Sequence, residues 1–127
     1  MFGAIRKHLL HRKKRLTAKL SGVAGHTGGG AFDYIRFPEG FAAYEVNLHG
    51  VAGTRAVVVL DGVEIAEIAI ENGRAIFSGD TRRTGVALIA LSGDKIEIRQ
   101  HGVVILQGKL HNARRLYRAV MSLLRLH

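Results

Sequence analysis

The stretch 55–78, RAVVVLDGVEIAEIAIENGRAIFS, decides the fold. Two apolar runs, Arg55–Leu60 and Val63–Ile70, flank Asp61-Gly62, and Asn72-Gly73 follows before a third run, Arg74–Ser78. Asp-Gly and Asn-Gly between apolar runs are the strongest short-range hairpin signals. Both central residues of a type I′ turn need positive φ, which Asp, Asn and Gly tolerate. Three strands joined by two tight turns are therefore expected within these 24 residues.

The same rhythm continues outward on both sides. Upstream, Tyr44, Val46 and Leu48 alternate with Glu45 and Asn47, the period-two pattern of a half-buried strand. Downstream, Val86–Leu91 turns through Ser92-Gly93-Asp94 into Ile96–Arg99, and Gln100-His101-Gly102 returns the chain into Val103–Leu106. About seven short strands with tight turns predict a mainly β fold. The expected body is a small antiparallel β-sandwich or barrel over residues 32–110. Five of the eight aromatics, Phe32, Tyr34, Phe37, Phe41 and Tyr44, enter this body together. Only Arg36 interleaves with them, so they read as core or interface rather than as a stacking platform for bases.

The flanks read differently. Residues 1–22 form an expected basic amphipathic helical arm. Phe2, Ile5, Leu9, Leu16 and Leu20 follow one another at spacings of 3, 4, 7 and 4, one narrow helical stripe interrupted by Arg12. Residues 23–31 form an expected Gly-rich linker, and residues 111–127 an expected C-terminal amphipathic helix. In that second helix Ala113, Leu116, Tyr117, Val120, Leu123 and Leu124 share a broad apolar face, with Arg114, Arg115, Arg118 and Arg125 opposite.

Charge follows the same division. Of the 19 Lys and Arg, seven fall in 1–22 (Arg6, Lys7, Arg12, Lys13, Lys14, Arg15 and Lys19) and four in 111–127, while all ten carboxylates lie between. The net charge of +9 therefore belongs to the flanks. Cations in such arms attract polyanions by counterion release, and an apolar stripe beside them seeks a groove. The stripe Phe2, Ile5, Leu9, Leu16 and Leu20 is the expected contact with a protein partner or a second copy. Arg6, Lys7, Arg12, Lys13, Lys14, Arg15, Lys19, Arg114, Arg115 and Arg118 are the expected polyanion contacts. Nucleic acid and an anionic membrane surface are the alternative targets.

At 127 residues the chain is expected to be one domain with arms. It has no cysteine, which excludes disulfides, thiolate metal sites and a cysteine nucleophile. The longest apolar run, Val86–Leu91, is far short of the roughly 18 residues a spanning helix needs. No transmembrane segment and no secretion signal are expected, and the location read from this is cytoplasmic or within a larger assembly. Residues 1–22 share the basic, acid-free character of a mitochondrial presequence but contain little Ser or Thr.

No motif carries chemistry. Gly28-Gly29-Gly30 lacks the Gly-Lys-Ser/Thr of a phosphate loop. His8 and His11 stand three apart with no third ligand near in sequence, and His49, His101 and His111 could meet only through the fold. The carboxylates offer no dyad. No catalytic residue, metal or cofactor is therefore expected. The leading expectation is a non-enzymatic structural or assembly protein, such as a virion component or an accessory subunit, anchored by its basic arms. A sequence-nonspecific nucleic-acid binder is the second reading. The third is a small enzyme or ligand carrier with its site in the β body near Tyr44, His49 and His101.

Overall fold

A computed structural model describes residues 13–85 and 87–113. Nine strands follow one another: β1 (Lys14–Gly22), β2 (Gly29–Arg36), β3 (Ala42–His49), β4 (Arg55–Leu60), β5 (Val63–Ala69), β6 (Ala75–Asp80), β7 (Lys95–Gln100), β8 (Val103–Lys109) and β9 (His111–Asn112). One helical turn, α1 (Thr81–Thr84), follows β6. Eight strands form a nearly closed antiparallel barrel in the order β5-β4-β7-β8-β1-β2-β3-β6, and β9 adds to β1.

The expected turns form as their residues dictate. Asp61, Asn72 and His101 take φ of 47°, 52° and 52°, each followed by a positive-φ glycine. The β4–β5 and β7–β8 hairpins share one plan. Each has a two-residue turn, and in each the register slips two residues beyond it, leaving Ile65 and Ile105 as the extra residues of β-bulges. Alternate residues fill the interior: Leu16, Ala18, Leu20, Phe32, Tyr34, Val46, Leu48, Val58, Ile96, Ile98 and Leu106 are all buried. An eight-stranded barrel is just wide enough for side chains to fill it. Three of the clustered aromatics, Phe32, Tyr34 and Tyr44, belong to this core.

The N-terminal helix expectation fails where it can be checked. Residues 14–22 are β1, held between β8 and β2 with Lys14↔Arg36 through Ser21↔Gly29 in register. A spacing of four residues fits a period of two as well as 3.6, so Leu16 and Leu20 are equally at home on one face of a strand. The chain Arg15-Leu16-Thr17-Ala18-Lys19-Leu20 alternates, and its apolar members point into the core. Phe2, Ile5 and Leu9 lie outside the described residues.

The linker expectation fails for the same physical reason that glycine is present. Gly29 and Gly30 belong to β2. A Cβ on Gly30 would strike the Asn47 carbonyl of β3, so glycine here permits close backbone approach rather than a hinge. Only 23–28 form a turn, with the Val23 amide donating to Ile105 O at 3.1 Å. Among the described residues the barrel therefore begins at Lys14, and no boundary separates an arm at residue 22. Residues 87–91 do not form the expected strand. They carry Leu88 and Ala90 onto the interior Tyr34, whose hydroxyl donates to Leu88 O at 2.8 Å and lies 3.4 Å from the Ala90 amide. The expected C-terminal helix over 111–127 fails at its start, where His111 and Asn112 form β9 against Thr17 and Leu16 of β1, and residues 114–127 lie outside the described residues.

Candidate functional site

The barrel lacks one ladder. β5 and β6 are consecutive and start as a hairpin, with Asn72-Gly73 at the turn and a single bridge between Glu71 and Arg74. Beyond that bridge they separate. Among the described residues β5 pairs only with β4, and β6 only with β3.

Tyr44 occupies the gap. It lies on β3, opposite Gly79 of β6, and its ring passes over Gly79 so closely that a Cβ there would overlap Cε1 and Cζ. The ring stacks on Phe32 at 5.5 Å between centroids and meets Phe77 at 6.1 Å. Its hydroxyl reaches the Ile65 carbonyl of the β5 bulge, at a long 3.5 Å. Burial pushes the Tyr44 phenol pKa upward, so it stays a neutral donor. One aromatic side chain thus spans the seam in place of a backbone ladder.

Outside this ring the seam is a cleft of about 440 Å³. Ile65 and Ala66 form its β5 wall, Phe77 its β6 wall, and Ala87 and Leu88 its end, with Glu64, Ser78 and Thr81 adding polar groups. α1 fixes one rim. Asp80 caps it, accepting from the Arg82 amide at 2.9 Å, and binds the Arg82 guanidinium at 2.6 Å. The Arg82 guanidinium lies 4.2 Å from the centre of the Phe41 ring, which stacks on Phe37 at 4.4 Å. Thr81 Oγ1 accepts from the Ala42 amide at 2.8 Å, tying α1 to β3. On the opposite rim Glu67 pairs with Arg55 at 2.6 Å, exposed to solvent.

The residues singled out in the sequence are not gathered here. Leu16 and Leu20 are core residues, so they present no stripe to a partner. Lys13 lies 5.5 Å over the Phe37 ring. Lys14 and Arg15 on β1 are half-buried, and Lys19 is exposed. Arg6, Lys7, Arg12, Arg114, Arg115 and Arg118 lie outside the described residues. Of the trio Tyr44, His49 and His101, only Tyr44 lines the cleft. His49 ends β3 against Gly29, and His101 is the first residue of a turn. No group of three or more His, Asp or Glu among the described residues could hold a metal.

The fold does assemble a carboxylate pair, away from the cleft. Asp33 and Glu45 stand opposite each other on β2 and β3, both buried, and Thr17 donates to Asp33 Oδ1 at 2.8 Å. Burial raises the pKa of both groups. The Thr17 hydrogen bond partly offsets this at Asp33, and the neighbouring Asp33 adds to it at Glu45. Both residues hold the outward phase of their strands, which was readable, but their burial there was not. No protein-family model matches this chain, and no curated protein matches it.

Proposed function

We propose that this chain is a non-enzymatic interaction module that receives an extended segment of a partner protein between β5 and β6. The observation that supports this is the missing ladder. Among the described residues no ladder joins the two facing strand edges, which border an apolar cleft, the arrangement used in recognition by strand addition. Natural barrels normally close or cover such edges. Exposed Val63, the first residue of β5, adds apolar surface to the cleft. The assembly role expected from the sequence is kept, but its contact moves from the stripe over 1–22 to the seam.

A library of random twelve-residue peptides displayed against the full chain tests this reading. Enriched peptides should alternate apolar and polar residues and lose binding to Ala66→Arg, which places a charge in the cleft. Peptides that bind this variant equally well, or no enrichment at all, would sink it.

A second reading uses the same cleft for a small apolar ligand. Its volume, about 440 Å³, lies within the range of small-molecule sites. Titration with decanoate, followed at the Tyr44 and Phe77 ring resonances, separates the two. Saturable shifts there without peptide binding favour the carrier.

A further inference from the structure

On the side of the barrel away from the seam, three lysines stand abreast. β8 and β1 are fourth and fifth in the strand order, which β5 and β6 end. Lys95 on β7 lies directly opposite Lys109 on β8. β1 meets β8 and β9 in one register, Ser21↔Gln107 and Thr17↔His111, and that register sets Lys19 level with Lys109. Gly108 allows the approach, because a Cβ there would strike the Lys19 carbonyl. The lysines alternate with buried Ile96, Leu110, Ala18 and Leu20, so they point outward, and all three are exposed.

Nothing within the described residues accounts for this row. Like charges directly opposite on neighbouring strands are destabilising. Among the described residues none of the three lysines has an ion pair. The carboxylates flanking Lys95 are engaged elsewhere. Glu97 holds Arg99 at 2.6 Å, and Asp94 accepts from the Leu91 amide at 2.8 Å. Lysines often guard a sheet edge, but β7, β8 and β1 each have a strand on both sides. Beside the row lies a cleft of about 290 Å³, to which Ser21 and Gln107 add polar groups between Lys95 and Lys109 on one side and Val23 on the other.

We infer that Lys19, Lys95 and Lys109 form a binding site for the phosphate backbone of a nucleic-acid duplex, separate from the seam. Three arguments select this ligand. The first is charge. Three cations with no carboxylate partner among the described residues, beside a hydroxyl and an amide, suit several anionic oxygens. The second is spacing. Two strand intervals set Lys95 and Lys19 about 10 Å apart, a line of cations for a line of phosphates rather than a pocket for one. The third is composition. Lys19, Ser21, Lys95, Gln107 and Lys109 include no aromatic and no large apolar residue. The face therefore offers no platform for unpaired bases and no wedge for a bilayer. Contacts of this kind hold a backbone and read no sequence.

Anisotropy of a short labelled duplex, titrated with the full chain over a range of salt concentrations, tests the site. The parent chain should bind at low salt. Lys19→Gln/Lys95→Gln/Lys109→Gln should weaken binding roughly tenfold or more and flatten the log–log salt slope by about two to three. Lys14→Gln/Arg36→Gln/Arg74→Gln removes as much charge from elsewhere on the barrel and should change both far less. The urea midpoint of the first variant should equal or exceed that of the parent, because it removes repulsion; a lower midpoint would mean that the lysines serve the fold, and would overturn the site. In the parent chain, duplex-induced amide shifts within 13–85 and 87–113 should centre on residues 19–21, 95 and 107–109. No binding at low salt, an unchanged slope in the first variant, an equal loss in the second, or shifts centred elsewhere would each overturn it. So would shifts at these residues produced by phosphatidylserine vesicles and not by duplex.

Discussion

Gly79→Ala asks whether Tyr44 holds the seam. Gly79 has no positive φ, so alanine there is not strained by the backbone. Taken alone, the change stabilises by roughly 0.4–1 kcal/mol through the unfolded chain. The new Cβ, however, would overlap Tyr44 Cε1 and Cζ and lie 2.6 Å from Oη. The ring has little room to retreat, because Phe32 stacks on it at 5.5 Å. Overpacking a filled site costs about 1–3 kcal/mol, so the net loss is about 1–2 kcal/mol. The loss must come from Tyr44 and must disappear with it. In a Tyr44→Leu background Gly79→Ala should be neutral or stabilising, a coupling of about 1 kcal/mol or more. Urea midpoints of the four proteins measure this. An equal cost in both backgrounds, or stabilisation in the presence of Tyr44, would refute the placement of the ring over Gly79.

Three further outcomes follow from the same packing. Asp33 and Glu45 have folded pKa values raised above 3.8 and 4.5, chiefly by burial. The folded state therefore holds their protons more tightly than the unfolded one, and their contribution to stability should rise as pH falls from neutrality toward about 4. Comparing urea midpoints against pH with those of Asp33→Asn/Glu45→Gln isolates this trend; an opposite slope in the difference would contradict it. Asp80→Ala removes the α1 cap and the Arg82 partner, and should cost about 1–2 kcal/mol in a thermal melt. Gly30→Ala should cost about 3 kcal/mol. It should not be rescued by Leu48→Ala, because the main obstacle is the Asn47 carbonyl of the backbone.

What the sequence made legible was whatever depends on local chemistry. Asp61-Gly62, Asn72-Gly73 and His101-Gly102 form the turns their φ preferences require, and the mainly β character follows from them. The failures share one origin: a local signal with two readings, decided by tertiary contact. Leu16 and Leu20, four residues apart, suit a helix or a strand, and pairing with β2 and β8 chooses the strand. Gly29 and Gly30 look like a hinge but serve close strand packing. The seam was less accessible still. Its turn at Asn72-Gly73 announces a hairpin, and nothing local shows that the two strands will part. Tyr44, whose ring fills the gap, lies 35 residues before Gly79 and on a different strand. A glycine inside the Arg74–Ser78 strand's continuation, at Gly79, was the one available hint of close approach.

The account rests on the seam being open, and cross-strand nuclear Overhauser contacts in the full chain test this most directly. Contacts should link Glu71 with Arg74, and the Tyr44 ring protons with the Gly79 α-protons and with Ile65. No α-proton contacts should run between residues 63–67 and 77–80. A continuous ladder of such contacts from the Asn72-Gly73 turn to Val63 would mean a closed barrel, and the seam with its proposed partner strand would be contradicted.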